Sequence, residues 1–376
     1  MQRSFFSARS LAAGAAICGA VAVAAASGGF AQSGYAAPGA RPLGTHVVRP
    51  PSAAQVHGQL LTVTTVPHST EAFAIDGNGT TANTVYHIAM RKGTHWHLVK
   101  APKLNGRYGT LLSLGAGSAR TVWLGGGREV GHGSIQEIPT IWRWNGHRFV
   151  EMSTPNLGNG ADGVTSIAAS GPNNAWAVGA IFSTLTDLNS VALHWNGKKW
   201  SQVNTPTGPL ISVISTKANG TWALDDSAEL LKWTGTEWTV VSTAPTNTDP
   251  FKIAQGPGKT IYAVGGSSLL KFNGTTWSKV AFAKHSKPSR FDAISTSGSS
   301  GWLVGGKGTH SVVLHSTGGP WKIQFTPKAK YELFSVSAAS AKKATVVGDT
   351  YNRVTYVSHP YVIATSGHGW HVQTVS

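Results

Sequence analysis

Residues 175–179 read Ala-Trp-Ala-Val-Gly, and residues 194–200 read His-Trp-Asn-Gly-Lys-Lys-Trp. In the second stretch a glycine is followed three positions later by a tryptophan, and this glycine–aromatic spacing occurs seven times along the chain. The pairs are Gly93/Trp96, Gly146/Phe149, Gly197/Trp200, Gly235/Trp238, Gly274/Trp277, Gly318/Trp321 and Gly367/Trp370. Successive aromatics lie 53, 51, 38, 39, 44 and 49 residues apart. A period of this length indicates a repeat architecture.

Each repeat contains the pattern of four short strands. A strand of small residues such as 164–169 is followed by a turn, by a second strand such as 176–179 that ends in glycine or aspartate, and then by a hairpin. Asn-Gly favours a two-residue type I′ turn, because both central residues need positive φ. With a turn at Asn196-Gly197, Leu193 faces Trp200, and the residue facing the aromatic is apolar in all seven repeats. This agreement supports that register.

Seven repeats of four strands predict an all-β fold, a seven-bladed β-propeller with four antiparallel strands per blade. The predicted propeller covers residues 59–376, with blades at about 59–104, 109–156, 163–207, 210–245, 249–284, 290–327 and 331–376. The ring closes either without a shared strand or with residues 45–49 as an added strand at its rim. The regular placement of the tryptophans predicts packing, whereas the turn-flanking Trp144, Trp195 and Trp233 fit packing and surface exposure equally well.

The N-terminus has the pattern of a secretory signal peptide at 1–26, with Arg3 and Arg9 before an apolar run and a small-residue cleavage site. A flexible lead-in rich in Gly, Ala, Pro and Ser follows at 27–58. Cys18, the single cysteine, lies in the leader, so the mature chain holds no thiol. We expect a secreted monomer, either free or associated with the cell wall, with no transmembrane segment after cleavage.

The strand and turn motifs resemble the kelch repeat. Residues 262–266 (Tyr-Ala-Val-Gly-Gly) and 272–277 (Phe-Asn-Gly-Thr-Thr-Trp) form the nearest match. The form in the third repeat is similar to repeat proteins secreted by actinobacteria and related Gram-positive bacteria. The resemblance extends over residues 59–376 and implies a galactose-oxidase-type propeller without implying a particular chemistry.

The sequence shows no catalytic constellation. The copper-radical oxidases of this fold use a tyrosine crosslinked to a cysteine, which a mature chain without cysteine cannot build. Glycosidases need two carboxylates about 5–9.5 Å apart, and the single adjacent pair, Asp225-Asp226, fits a solvated loop at the end of a strand. The histidines lack metal-ligand spacing, and His95 and His97 fit a solvated strand face. We therefore predict no catalytic residue, metal or cofactor.

The positive charge is the one feature of the sequence that indicates a binding surface. The net charge is +16, and about +14 remains after the leader, with 29 Lys and Arg against 15 acids. Loops that leave the fourth strand share a face with loops between the second and third strands, and basic residues on this face could surround the axial opening. The candidate ligand-binding residues are Lys103, Arg107, Lys284, Lys287, Arg290, Lys328 and Lys330. A basic surface favours polyanionic partners, although isolated lysines also serve simply to keep turns soluble.

Two functions remain open at this stage. The first is a secreted, non-enzymatic propeller that binds an anionic polysaccharide, a cell-wall polymer or a secreted protein through its loop face. The second is a carbohydrate-active enzyme, a hydrolase or lyase, on the same scaffold. Secretion and the lack of clustered basic–aromatic motifs argue against nucleic acid as the partner.

Overall fold

The computed structural model describes residues 58–78, 85–105, 109–130, 137–158, 160, 163–182, 188–328, 331–352 and 357–375. The predicted signal peptide, nearly all of the lead-in and the proposed rim strand at 45–49 lie outside these residues. The described chain forms seven sheets, each made of four consecutive antiparallel strands. The predicted seven-bladed β-propeller is confirmed.

The strands follow one another in chain order, four to a blade. Blades 1 to 4 contain β1 (Gln59–Thr65), β2 (Ala72–Asn78), β3 (Val85–Lys92), β4 (His95–Val99), β5 (Thr110–Ser118), β6 (Thr121–Glu129), β7 (Glu137–Trp144), β8 (Phe149–Glu151), β9 (Val164–Gly171), β10 (Asn174–Phe182), β11 (Leu188–Trp195), β12 (Trp200–Gln202), β13 (Leu210–Thr216), β14 (Gly220–Asp225), β15 (Glu229–Trp233) and β16 (Trp238–Thr243). Blades 5 to 7 contain β17 (Lys252–Gln255), β18 (Ile261–Gly265), β19 (Ser268–Phe272), β20 (Trp277–Lys279), β21 (Arg290–Ser297), β22 (Ser300–Lys307), β23 (His310–Ser316), β24 (Lys322–Phe325), β25 (Glu332–Ala338), β26 (Ala344–Asn352), β27 (Val357–Thr365) and β28 (Trp370–Gln373).

The first strands of neighbouring blades contact one another all the way around, so they line the axis of the ring. Serine side chains join them. The hydroxyl of Ser166 accepts a hydrogen bond from the backbone N–H of Val213 at 3.1 Å, and Ser212 accepts one from Ile253 at 3.1 Å. Small, hydroxyl-bearing residues on the first strand therefore let the blades approach closely and satisfy backbone donors across the gap.

Aromatic side chains fill the gap between blades farther from the axis. The second-strand aromatic of one blade packs on the anchor aromatic of the next, as in Trp123–Trp200 at 5.0 Å and Trp176–Trp238 at 4.9 Å between ring centroids. The turn-flanking residues complete these clusters, because Trp144 and Trp195 are each 3% exposed. The prediction that anchors pack is confirmed, and the open question about these two tryptophans is settled in favour of packing.

The predicted hairpin register is wrong by two residues. Trp195 pairs with Trp200, and Leu193 pairs with Gln202, so the loop has four residues rather than two. The side chain of Asn196 stabilises this loop by accepting hydrogen bonds from the backbone N–H groups of Lys198 and Lys199 at 3.0 and 3.1 Å. A shift of two leaves every side chain on its predicted face, since the strand period is two. The apolar residues predicted to face the anchor aromatics therefore identify the face of each strand correctly but not its pairing partner.

Blade 7 joins blade 1 with contacts of the kind found elsewhere in the ring. Ser335 accepts a hydrogen bond from the N–H of Val63 at 3.3 Å, the same type of contact that links the other first strands. Trp96 forms an isolated parallel bridge with Val375, as Trp321 does with Phe282 between blades 5 and 6. Each described blade is built from consecutive strands, so closure occurs through side-by-side packing rather than through a shared strand.

Candidate functional site: two faces of opposite character

The propeller presents two faces that differ in how the chain crosses them. We define the turn face as the one that carries the β1–β2 and β3–β4 turns of blade 1 and the equivalent turns of the other blades. The loop face carries the connections between second and third strands and the connections between blades. Each charged residue is assigned to the face nearer to its position along its strand or connection.

The described charges are distributed very unequally between the faces. The turn face carries fourteen basic residues, namely Arg91, Lys92, Arg120, Arg143, Arg148, Lys198, Lys199, Lys217, Lys232, Lys259, Lys271, Lys322, Lys342 and Lys343, and two acids, Glu71 and Glu237. The loop face carries ten described basic residues and eleven described acids. All of the excess positive charge of the described chain therefore lies on the turn face, where it extends over all seven blades.

Part of this charge is held in a fixed position by stacking. In five blades the residue that pairs with the second-strand aromatic is basic, and we call these residues the basic row: Arg143, His194, Lys232, Lys271 and His315. The Arg143 guanidinium carbon lies 5.5 Å from the ring centroid of Trp123, and the Lys232 ammonium lies 5.2 Å from that of Trp222. Such cation–π contacts fix the direction of a long side chain.

The two histidines of the basic row stack flat on tryptophans. His194 lies 4.4 Å from Trp176 at an interplanar angle of 18°, and His315 lies 3.8 Å from Trp302 at 19°. Burial lowers the pKa of both imidazoles. They therefore add aromatic surface rather than charge at neutral pH, and the lysines and arginines supply the positive potential.

The turns of adjacent blades bring exposed lysines together. Lys217 of blade 4 reaches over the turn of blade 3, with its Cε 3.7 Å from the position that a Cβ on Gly171 would occupy. The same turn of blade 3 packs on the hairpin that carries Lys198 and Lys199, since Asn173 lies against Gly197. All three lysines are exposed. They form one continuous basic patch across the boundary between blades 3 and 4.

The residues predicted from sequence as ligand-binding lie on the other face where they are described. Lys103, Lys284, Lys287, Arg290 and Lys328 are all exposed on the loop face, and Arg107 and Lys330 lie outside the described residues. Lys284 and Lys287 lie in the connection between blades 5 and 6, Arg290 begins β21, and Lys103 follows blade 1. Arg290 pairs with Asp292 at 2.7 Å, which compensates its charge. The acids of the loop face weaken the positive potential around these residues.

Buried carboxyl groups are the distinctive feature of the loop face. Asp76 is fully buried at the end of β2, its Oδ2 lies 3.1 Å from Nδ1 of His87, and its Oδ1 has no hydrogen-bond partner among the described residues. Burial raises the pKa of Asp76 to about 8 and lowers that of His87. The carboxyl group therefore keeps its proton at neutral pH and donates to a neutral imidazole, so the pair carries no charge.

The adjacent pair Asp225-Asp226 is not the solvated loop that the sequence suggested. Asp225 is fully buried, and its Oδ1 accepts hydrogen bonds from the backbone N–H groups of Ser227 at 3.0 Å and Glu229 at 2.7 Å. Burial raises the pKa of Asp225 to about 6, while the N–H of Glu229 acts in the opposite direction. The side chain caps the turn between β14 and β15, and this structural role explains an aspartate at that position.

The histidines around the anchor Trp96 behave as predicted. His95 and His97 are exposed on either side of the buried Trp96, and His371 is exposed after Trp370. In the described part of the chain, no group of three or more His, Cys, Asp or Glu side chains is placed to hold a metal ion. Among the same residues, no helix is long and apolar enough to cross a membrane.

Sequence reasoning overlooked the basic row, although a signal for it exists. Its members each precede the turn glycine by three positions, as Arg143 precedes Gly146 and Lys232 precedes Gly235. The equivalent residues in blades 1 and 7 are Met90 and Ala364. Aligning the repeats on the turn glycine would therefore have shown a recurrent basic position.

Neither a protein-family model nor a curated protein sequence matches the chain. Solved structures match at low identity. A structure of YCF48 bound to D1 peptide is 16% identical and has a TM-score of 0.53, covering 78% of this chain and 90% of that chain. A streptogramin B lyase is 10% identical with a TM-score of 0.55, covering 86% and 96%. A prolyl endopeptidase is 13% identical with a TM-score of 0.51, covering 85% of this chain and 50% of its own.

These structures show what kind of protein this is at the level of the fold. The chain is a seven-bladed β-propeller, and the same fold occurs in a protein bound to a peptide, in a lyase and in part of a prolyl endopeptidase. The fold therefore does not select among functions, and the function of this chain has to be inferred from its surface residues.

Proposed function

We propose that this protein is a secreted, non-enzymatic binding propeller whose turn face binds an anionic polymer, either an acidic polysaccharide or a cell-wall polymer. The observation that carries the proposal is the partition of charge, with fourteen basic and two acidic residues described on the turn face. A surface of one sign raises the local concentration of an oppositely charged ligand and accelerates its association.

The geometry of the turn face suits an extended ligand. Basic residues occur on every blade, so the positive charge is distributed around the ring rather than concentrated in one pocket. The stacked side chains Arg143 and Lys232 are already ordered, which reduces the conformational entropy lost on binding. A polymer can contact several blades at once, and weak individual contacts then add up to useful affinity.

Secretion and the kelch-like relationship belong to the same proposal. The leader at 1–26 supports export, and the Tyr-Ala-Val-Gly-Gly strand at 262–266 supports a kelch-like repeat. An exported propeller would meet anionic polymers at the cell surface. A secreted protein with an acidic surface also has a charge compatible with the turn face. Competition experiments with free polymer distinguish such a protein ligand from a polymer ligand.

The test compares the two faces directly. A turn-face triple variant (Lys198→Glu, Lys199→Glu, Lys217→Glu) and a loop-face triple variant (Lys284→Glu, Lys287→Glu, Lys328→Glu) change the same net charge. Binding to teichoic acid and polygalacturonate is measured at about 50 mM and about 300 mM NaCl, since salt screens exposed charges. We expect the turn-face variant to bind at least about 10-fold more weakly and the loop-face variant to stay within about 2-fold of the parent protein.

Three results would contradict the proposal. Binding that does not weaken at the higher salt concentration would exclude an electrostatic surface. Equal binding of neutral dextran would exclude recognition of negative charge. A selective loss in the loop-face variant would assign the ligand to the residues predicted from sequence instead.

The second candidate function, a carbohydrate-active enzyme, is favoured by one observation. Asp76 is a carboxyl group held protonated by burial beside His87, whose side chain is 37% exposed. A protonated carboxyl group can act as a general acid in glycoside cleavage, and because Asp76 is fully buried its proton would reach a substrate only through His87. Turnover of a polysaccharide by the parent protein, lost in Asp76→Asn, would establish the enzyme, and the absence of turnover across a panel of acidic and neutral polysaccharides would exclude it.

A further inference from the structure

A cavity of about 420 Å³ opens between the connection that leaves blade 1 and the outer strands of blade 2. It is lined by Pro102, Lys103, Asn105, Arg128, Trp142, Phe149 and Glu151. The connection contributes the first three, and β6, β7 and β8 contribute the others. The cavity lies toward the loop face, on the opposite side of the ring from the basic patch of the turn face, and its volume is typical of sites for small ligands.

The walls of the cavity are held in place on both sides. The backbone N–H of Glu129 donates a hydrogen bond to the carbonyl of Leu104 at 3.0 Å, which fixes the connection against the end of β6. Trp142 and Phe149 are 1% and 6% exposed and belong to the apolar cluster shared by blades 1 and 2. The aromatic floor is therefore part of the core, so the cavity exists before any ligand arrives.

The charged residues of the cavity leave one strong donor unsatisfied. Nε of Arg128 is buried and has no hydrogen-bond partner among the described residues, and the nearest carboxylate oxygen, Oε1 of Glu151, lies 3.5 Å away. Glu151 is about half exposed, so water weakens its attraction for the guanidinium. The guanidinium of Arg128 is therefore held by one long ion pair, and its side chain, 25% exposed, remains accessible to a carboxylate on a ligand.

We propose that this cavity binds a single carboxylate-bearing sugar residue, a uronate. Its carboxylate would accept hydrogen bonds from Arg128 and from the exposed ammonium of Lys103, an arrangement that arginine and carboxylate geometry favours. The amide of Asn105 would contact ring hydroxyls, and the apolar face of the sugar ring would lie on the half-buried Pro102. This inference rests on the cavity alone and is independent of the polymer surface on the turn face.

Glu151 gives the proposal a distinctive consequence. Among the described residues that line the cavity it is the one acid, and it competes with the ligand for Arg128. Glu151→Gln should therefore strengthen binding, whereas a mutation that merely damages a site weakens it. Loss of either cation should have the opposite effect.

The experiment titrates D-glucuronate and D-glucose into the full-length protein by calorimetry. We expect millimolar affinity for glucuronate, at least about 10-fold weaker binding of glucose, at least about 10-fold weaker binding by Arg128→Gln and at least about 2-fold tighter binding by Glu151→Gln. Lys103→Ala changes an exposed residue and should weaken binding by about 3-fold or more without affecting folding. Lys100→Ala, which removes an exposed lysine of the same connection outside the cavity lining, is the matched control and should bind like the parent protein.

The proposal fails if glucuronate gives no saturable heat up to about 50 mM. It also fails if glucose binds equally well, or if Lys103→Ala and Arg128→Gln both retain the parent affinity. Should Arg128→Gln not fold, Lys103→Ala and Glu151→Gln decide the result by opposite changes in affinity. Because the probe is a monosaccharide and the variants lie on the loop face, this outcome is separate from that of the polymer experiment.

Discussion

Arg91 donates a 2.7 Å hydrogen bond through Nη1 to the hydroxyl of Thr345, joining the third strand of blade 1 to the second strand of blade 7. At the equivalent place between blades 2 and 3, Trp195 packs on Trp123. The guanidinium of Arg91 also lies 5.6 Å from the ring centroid of Trp96. A polar contact with a buried cation therefore replaces an aromatic contact where the last blade meets the first.

Removing one partner of this contact should destabilise the protein. Thr345→Val leaves the buried guanidinium with one fewer acceptor, and we expect a loss of about 1.5–3 kcal/mol in the free energy of unfolding, the range for hydrogen bonds to charged groups. Arg91→Met should cost less, because it removes the charge together with its need for a partner. The free energies are measured by urea denaturation, and Lys92→Met, at an exposed neighbour, is the control. Equal losses in the free energy of unfolding for Thr345→Val and Lys92→Met would show that the hydrogen bond between Arg91 and Thr345 does not stabilise the protein.

The anchor aromatics should contribute more to stability than any exposed apolar residue. Trp200 is 3% exposed and packs edge to face on Trp123 of the preceding blade. Trp200→Ala should cost about 3–5 kcal/mol, the usual range for emptying a buried aromatic site. Val240→Ala, at a residue 43% exposed, should change the free energy of unfolding by less than about 0.5 kcal/mol. Similar values for the two variants would contradict the packing described for the blade interfaces.

The four-residue hairpin loop can be tested at Asn196 and Gly197. Gly197 has φ +94°, which other residues adopt with strain, and Asn196 accepts two backbone hydrogen bonds. Asn196→Ala and Gly197→Ala should each cost about 0.5–2 kcal/mol, as losses of a cap and of a left-handed glycine do. Asn196→Asp keeps both acceptor contacts and should cost much less. An Asp variant as unstable as the Ala variant would show that the side-chain contacts are unimportant.

The protonated state of Asp76 predicts a pH dependence of stability. Its pKa is about 8 in the folded protein against 3.8 for the ordinary side chain, so the folded state binds a proton that the unfolded state has released. Stability should therefore fall as the pH rises between these two values. Asp76→Asn cannot release this proton, and its stability relative to the parent should increase by at least about 1 kcal/mol between about pH 5 and about pH 8.

The same comparison controls for the other buried carboxyl groups. Burial raises the pKa values of Asp225 and Asp349 to about 6, and both titrate in the parent and in the variant, so their contributions cancel in the difference. In the Asn variant the side-chain N–H of residue 76 can still donate a hydrogen bond to Nδ1 of His87. Urea midpoints at the two pH values give the result. A difference that stays constant with pH would mean that Asp76 is ionised in the folded protein.

The repeat made the fold predictable from sequence, because each unit shows the same local signals. Seven glycine–aromatic pairs and seven small-residue strands all indicate four-stranded blades, and none of them conflicts with another. The hairpin register was not predictable in the same way. Asn196 can either occupy a two-residue turn or accept backbone hydrogen bonds in a longer loop, and both registers place every side chain on the same face of the sheet.

The surface was harder to predict than the core for a different reason. Lysines such as Lys217 and Lys259 are separated by a full repeat, so they never form a run of charge in the sequence. The ring brings them to one face, and the acids such as Asp225 and Asp349 to the other. The residues predicted from sequence lie on the longer loops, whereas the larger imbalance of charge lies on the short turns.

The joint at Ser335 and Val63 and the bridge at Trp96 and Val375 use the same kinds of bonds as the internal joints. Apart from the Arg91–Thr345 contact, the joint between the last and first blades therefore resembles the internal joints. Linking the two ends of the propeller and opening the chain in the connection between blades 4 and 5, near Thr246, should yield a circular permutant with the same arrangement of blades.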